Sequence, residues 1–492
     1  MLVFASPERR RRALARLVAL SIPLAGCSMS AGAPGSFGAT PGGAQDMGLA
    51  RELIAAGRVP PPEAFVVEGM FSEHDLPVAG DACTHTLCVR ATGAIAPDLE
   101  GEQAGWIQLG LSSTIDPETF QRAPITAIAT VDVSGSMRWD DGEDAPGEVA
   151  RTFLHELVDR LDERDAFAMV TYGSDVSTPV STAPASDRPG LHAAIDRLHE
   201  AGSTNMEAGL ERAFALARDA RRASPERPVR VFLFTDVQPN VGATSPGAFQ
   251  SMTEAAAAEG IGLTVLGVGT GIGQEVMLAM SHLRGGNAFT MFRAADVATL
   301  LEDSWPWMAS PIAVDLSLAI KTDPAMTIAR GIGFPGAPIA ADEVELEVAT
   351  VFLSRRRGAL LVEARGVEGA SLAGASARVA LSYQEPSGEL VDEAFDVALP
   401  ARAEGETEAH VQDVTRRTVA LALLVDGMQA AARAYPSDRA GAIELVRAAH
   451  ARIEAAASVT GDEALATEVA LAADLLALME AGAPQGSLYG AY

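Results

Sequence analysis

Between residues 125 and 307, short apolar runs alternate with stretches of helical periodicity. Ile125 to Val133 is almost continuously apolar, as a strand buried on both faces of a parallel sheet must be. A helix is predicted over 147–163, behind Pro146 at a first-turn position. Ala166 to Tyr172 reads as the next strand, 188–199 and 206–222 as helices, and Val229 to Thr235 as another buried strand. A helix at 247–259, a strand from Leu263 to Val268, a helix at 274–284, a short strand from Ala288 to Met291 and a closing helix at 294–305 continue the pattern. Strand–helix alternation of this length predicts an α/β domain: an open, mostly parallel, Rossmann-like sheet with helices on both faces.

Beyond residue 307 the period changes. Ile312, Val314, Leu316, Leu318 and Ile320 alternate with small or polar residues, and Val344, Leu346 and Val348 alternate with Glu343, Glu345 and Glu347. Val379, Leu381 and Tyr383 lead to a Pro386-Ser387-Gly388 turn, followed by Phe395, Val397 and Leu399. Period-two alternation predicts antiparallel strands, and residues 308–400 read as a β-sandwich-like region. The remainder, 401–492, is Ala-rich. Val414, Val419 and Leu423, then Ile443, Val446 and Ile453, then Leu465, Val469, Leu476 and Met479 mark three helices of a small bundle. Residues 60–124 are expected to be a further, N-terminal β-rich region.

The first residues carry a different signal. Arg9 to Arg12 and Arg16 precede an apolar stretch, Leu17 to Leu24, that is far too short to span a bilayer as a mature helix. Residues 1–26 therefore read as a cleaved export signal. The sequence Leu24-Ala25-Gly26-Cys27 resembles the lipobox of bacterial lipoproteins, which implies Cys27 as a lipidated N-terminus. The plainer alternative is an ordinary signal with a chance cysteine. The resemblance implies a chain anchored to a membrane of the cell envelope, on a periplasmic or cell-surface face. Residues 28–48 are mostly Gly, Ala, Ser, Pro and Thr, so 27–59 is expected to be a flexible tether.

Composition narrows the function. Hydrophobic residues make up 48% of the 492 and charged residues 21%, which is globular rather than disordered. Acidic residues number 65 against 37 basic ones, and a net charge of −28 opposes nucleic-acid binding, since a phosphate backbone would be repelled. Three cysteines are too few for a disulfide-built scaffold. Outside the cytoplasm, Cys83 and Cys88 are expected to close a small loop as a disulfide. A metal site using His85 is the alternative, but two cysteines and one histidine at this spacing match no standard zinc pattern.

The candidate chemistry lies at strand ends. Ligands of an open α/β sheet bind outside the carboxyl ends of its strands. The first strand runs out at Asp132-Val133-Ser134-Gly135-Ser136, the loop before the helix at 206 carries Gly202-Ser203-Thr204-Asn205, and the strand at 229–235 runs out at Asp236. Two carboxylates and three hydroxyls converge on one edge. These are hard oxygen ligands, suited to Mg²⁺ or Mn²⁺, less so to Ca²⁺, and unsuited to zinc.

Asp132-x-Ser134-x-Ser136, with Thr204 and Asp236, resembles the metal-ion-dependent adhesion site of von Willebrand factor type A domains. The resemblance covers roughly 125–307. Ser203-Thr204-Asn205-Met206-Glu207-Ala208-Gly209-Leu210, Thr235-Asp236 with Asn240-Val241-Gly242, and Leu266-Gly267-Val268-Gly269 look like the bacterial YfbK-type subfamily of exported lipoproteins. Val237 departs from the glycine usual after the aspartate, and a β-branched residue resists positive φ there. The resemblance implies that Ser134, Ser136 and Thr204 contact the metal directly or through water, with Asp132 and Asp236 standing behind. A cation held largely by neutral hydroxyls stays electrophilic and takes an Asp or Glu from a protein partner. The bland alternative is that these are ordinary capping hydroxyls and a strand-end aspartate.

Two other features are weaker. Asp140-Asp141-Gly142-Glu143-Asp144 could hold a second cation, or be a solvated acidic loop before a helix. Gly267-x-Gly269-x-Gly271-x-Gly273 looks like a phosphate cradle but lacks the P-loop lysine, and reads better as a tight turn. The expected function is a lipid-anchored envelope module that binds protein partners through a divalent cation, and not an enzyme. A metal-dependent phosphohydrolase of the haloacid dehalogenase kind is the rival, but it needs a second aspartate where Ser134 stands. A structural envelope protein with a vestigial metal site is the third reading.

Overall fold

The computed structural model of the chain describes residues 38–486 except 41, 117–118, 139–143, 237–238, 270–273, 282–285, 335–338, 355 and 386. Cys27 and the export signal lie outside the described residues, as do Asp140 and Asp141.

A seven-stranded sheet forms the centre of the α/β region. Its spatial order is Gly43–Ala44, Gly286–Met291, Ile261–Val268, Val229–Thr235, Thr126–Asp132, Ala166–Tyr172 and Val176–Pro184. Every pairing is parallel except the last, where Val176–Pro184 returns antiparallel along Ala166–Tyr172. The apolar strands supply both faces at once. Ile128, Val231, Leu233, Leu263 and Val265 pack with Leu210, Phe214 and Phe249 on one side. Ala127, Ala129, Phe232, Phe234 and Leu266 pack with Phe153, Leu157, Leu191 and Leu301 on the other. The helices concerned are Met206–Ala223 and Pro246–Ala258 on the first face, and Pro146–Arg160, Arg188–Ile195 and Ala294–Met308 on the second. This is the expected open α/β sheet covered on both sides.

A second, larger sheet is antiparallel, and it is drawn from both ends of the chain. Its main path runs Met326–Ile332, Leu360–Gly366, Gln103–Ser113, Gly38–Thr40, Glu343–Ser354, Pro311–Thr322, Ser376–Gln384 and Leu390–Ala398, with Leu87–Pro97 paired to Gln103–Ser113. The β-rich stretches before and after the α/β region thus build one sheet around one core, which includes Leu109, Leu318, Leu346 and Val362. The α/β region is inserted between two halves of this sheet. Helices Asp413–Ala434, Arg439–Thr460 and Ala464–Ala481 follow, the first packing against helix Val67–Glu73.

The expected tether over 27–59 is corrected from Gly38 onward. Gly38–Thr40 pairs with both Glu343–Ser354 and Gln103–Ser113, Gly43–Ala44 completes the parallel sheet, and helix Gly48–Ala55 buries Leu49, Leu53 and Ile54. A composition of Gly, Ala, Ser and Thr suggested flexibility, but here small residues serve close packing. A Cβ on Gly42 would sit 2.3 Å from the carbonyl oxygen of Gly286, and its φ of +104° is one that glycine adopts readily. The segment is a strap joined to both sheets.

Candidate functional site

The order of the parallel sheet reverses direction beside Thr126–Asp132: the chain passes first to Ala166–Tyr172 on one side, then to Val229–Thr235 on the other. A crevice opens at the carboxyl ends where such a reversal occurs. Asp132 ends one of the two strands at that point and Asp236 follows the other. Both carboxylates are almost fully buried, as are Ser134 and Thr204.

Each loop is shaped by its own backbone chemistry. After Asp132 the chain turns sharply, and Asp132 Oδ1 accepts a hydrogen bond from the backbone N–H of Ser134 at 2.8 Å. The 3₁₀ turn Gly135–Arg138 then carries Ser136 back, so that the Ser134 and Ser136 hydroxyls stand 3.1 Å apart. The Thr204 loop is bonded to the same turn: Gly135 N donates to Gly202 O at 3.0 Å, and Ala201 N to Val133 O at 2.7 Å. Gly202 has a φ of +84°, and a Cβ there would strike the Ser174 hydroxyl at 2.3 Å. Asn205 caps helix Met206–Ala223 by accepting from Ala208 N, which fixes the loop immediately after Thr204. On the other side, Asn240 Oδ1 accepts from Thr204 N at 2.9 Å while Asn240 and Val241 donate to Thr204 O.

The five residues named from sequence therefore come from three loops that are hydrogen-bonded to one another. Direct side-chain contact joins Ser134 to Ser136, and electrostatic coupling joins Asp132 to Asp236. Thr204 is tied in through its backbone. Two contributors were not assigned roles from sequence. Thr235 Oγ1 donates to Asp132 Oδ2 at 3.2 Å, and the Asn240 amide clamps Thr204. Both contacts span the chain, so no local spacing signals them. Cys83, in the loop before strand Leu87–Pro97, is disulfide-bonded to Cys88 on that strand.

Burial pushes the Asp132 carboxyl up to about 7, and the nearby Asp236 carboxylate adds to the rise. Its hydrogen-bond partners, Ser134 and Thr235, are neutral and leave its charge unbalanced. Two buried carboxylates beside paired hydroxyls make an all-oxygen donor set, which fits a hard divalent cation. Among the described residues no group of three or more His, Cys, Asp or Glu is placed so that it could hold a metal ion, so any cation here would rest mainly on hydroxyls.

The family model for the von Willebrand factor type A domain matches residues 128–303. The uncharacterized protein YfbK of Escherichia coli (strain K12) is 27% identical over 292 residues, covering 58% of this chain and 49% of that protein. Inter-alpha-trypsin inhibitor heavy chain H4 of Sus scrofa is 28% identical over 202 residues, covering 40% of this chain and 21% of that one. The chain thus spans about half of the first relative and about a fifth of the second. Among solved structures, the von Willebrand factor type A protein from Catenulispora acidiphila aligns with 80% of this chain and 89% of its own, at 14% identity and a TM-score of 0.48. Domains of this kind commonly mediate protein–protein interaction. With its doubly covered parallel sheet and its matched span of 128–303, the central region of this chain is a von Willebrand factor type A domain.

Proposed function

We propose that this chain is an envelope-facing binding protein, anchored through Cys27, whose domain at 128–303 holds a protein partner through a divalent cation. The observation that carries the reading is the pair of Ser134 and Ser136 hydroxyls, 3.1 Å apart, in front of the buried Asp132 and Asp236 carboxylates. Ser134, Ser136 and Thr204 would hold Mg²⁺ or Mn²⁺, and Asp132 and Asp236 would neutralise it. When bound, the cation supplies an electrophilic open position for an Asp or Glu of the partner. The chain's own part is to hold hydroxyls and carboxylates at fixed spacing on a rigid sheet edge, and the arrangement around Ser134 and Ser136 suits binding rather than bond-breaking.

The test is calorimetric titration of metal-free protein with Mg²⁺ and Mn²⁺, in the wild type and in Ser134→Ala and Thr204→Ala. Binding at one site that each substitution weakens by about 10-fold or more supports the proposal. Capture of an envelope partner in Mg²⁺ that chelator abolishes completes it. Capture that persists in chelator and in both variants overturns the cation-bridged reading and leaves a vestigial site.

A further inference from the structure

Three parts of the chain meet around a cavity of about 200 Å³. The strap supplies Thr40 and Gln45, helix Ala294–Met308 supplies Ser304 and Trp307, and strand Glu343–Ser354 ends there with Leu353 and Ser354. The cavity also touches Asn287, near the amino end of strand Gly286–Met291, whereas Ser134 and Thr204 stand at the carboxyl ends of the same sheet.

Part of the lining is apolar: Phe289, Leu300, Trp307, Met308 and Leu353. The rest is polar, and much of its hydrogen-bonding capacity is not used within the protein. Gln45 Nε2 donates to Gly43 O at 2.9 Å, but among the described residues nothing donates to its Oε1, and the Ser304 and Ser354 hydroxyls have no partner. Thr40 Oγ1 accepts from Gly42 N at 3.2 Å, which leaves its own proton to give. Arg356 is exposed at the rim, and its guanidinium reaches Ser72 O at 3.5 Å. The two carboxylates of the lining are committed. Asp46 accepts from Thr290 N at 2.8 Å and Gly48 N at 2.9 Å, and Glu73 from Met47 N at 2.6 Å and Arg51 Nε at 3.1 Å. Satisfied in this way they do not call for a cation, and they would repel an anion laid beside them. The occupant these groups suit is neutral, with many hydroxyls and one apolar face.

A pyranose has that character. Each of its hydroxyls donates and accepts, matching Gln45, Ser304, Ser354 and Thr40, and its polarised C–H bonds suit the π-systems of Phe289 and Trp307. The size agrees, because a cavity of about 150 Å³ takes benzene, and the space here therefore takes one substituted six-membered ring but not two. We infer that this cavity binds a single neutral hexopyranose, either as a free sugar or as the end of a glycan that leaves past Arg356.

The site needs no cation, so the test is run in chelator, which also keeps the Ser134 edge out of the measurement. The full-length chain, labelled with ¹⁵N at its tryptophan indoles, is titrated with glucose, galactose, mannose and N-acetylglucosamine to high millimolar concentration. The Trp307 indole signal, identified by its loss in Trp307→Phe, should shift saturably with at least one of them. Ser304→Phe fills the cavity and should abolish the titration. Ser354→Ala and Gln45→Ala each remove one hydrogen-bonding group and should weaken binding by about 3- to 10-fold, with circular dichroism native in every variant. Maltose, lactose and chitobiose separate the two sources: binding tighter than that of the matching monosaccharide identifies a glycan end, and equal or weaker binding a free sugar. No saturable shift with any of these sugars, or a titration that Ser304→Phe retains, overturns the inference.

Discussion

The substitution Asp132→Asn should make the metal-free protein more stable at pH 8, although Asp132 is the anchor of its own loop. In the folded chain its carboxyl is pushed up to about 7 by burial and by Asp236, against 3.8 when exposed. A carboxyl whose folded value is raised binds its proton more tightly when folded. Its ionisation therefore costs stability as pH rises from about 4 to about 7, and the whole cost is present above that. The gap corresponds to about 4 kcal/mol. The amide introduced by Asp132→Asn keeps an acceptor for the Ser134 N–H and carries no charge to desolvate. At about 2–4 °C per kcal/mol for a domain of this size, the variant should melt roughly 8 °C or more above the wild type at pH 8. At pH 5 the difference should shrink to a fraction, because the wild-type group is then protonated. Asp46 is raised to about 6 and tilts both proteins alike, so the comparison between variant and wild type isolates Asp132. The assay is scanning calorimetry in chelator at pH 5 to 8. Saturating Mg²⁺ should reverse the order at pH 8, because only the wild type gains the binding free energy. Equal melting temperatures at pH 8 in chelator, or a variant less stable there, would refute the electrostatic reasoning.

Glu468 is buried and contacts Arg51 at 2.8 Å and His74 at 3.1 Å. Glu468→Ala leaves Arg51 and His74 facing an emptied site and should lower stability by about 3 kcal/mol in urea unfolding, so a loss below about 1 kcal/mol would count against the network. Burial raises the Glu468 carboxyl, but hydrogen bonds and charge from His74 and Arg51 more than offset it and hold it below the ordinary 4.5, so this stabilisation is present above that pH and is lost as pH falls below it. Gly69→Ala would place a Cβ 2.1 Å from the backbone carbonyl oxygen of Asp46, and should cost about 1–3 kcal/mol by displacing the strap; an unchanged melting temperature would show that the strap yields freely. Cys27→Ser, expressed in a Gram-negative host, should move the protein from the membrane fraction to the soluble one, and equal partitioning of the two forms would remove the lipid anchor.

The buried parallel strands were legible because each is an unbroken apolar run. Ala166–Tyr172 and Val229–Thr235 were placed to the residue. Val176–Pro184 was not anticipated: it is an edge strand of Ser, Thr and Pro with mostly exposed positions, and it offers no hydrophobic signal. Met326–Ile332 and Leu360–Gly366 were missed for another reason. Arg330 and Glu363 interrupt their apolar patterns, yet the two pair across the strands at 2.6 Å, so a charge that looks like a break is satisfied by its neighbour. At the site, Asp132, Ser134 and Ser136 were readable because they fall within five residues. The clamps on them were not, because Asn240 reaches Thr204 and Thr235 reaches Asp132 only after the sheet has formed.

The split origin of the antiparallel sheet dictates an order of events during folding. Gln103–Ser113 must find Leu360–Gly366, and Gly38–Thr40 must find Glu343–Ser354, across a span that includes the whole inserted domain. Closing so long a loop from a disordered chain is slow. If the inserted region collapses first on its own parallel sheet, it brings Ser113 and Pro311 to one place and shortens the search. Until then the early strands have only one another to pair with, and their outer edges are the part of the chain most exposed to wrong pairing. Refolding should therefore show a fast phase from the inserted domain and a slower one from the surrounding sheet. A lesion that delays the first should lengthen the second, and the chain's yield would then be set less by its final stability than by how long those edges stay open.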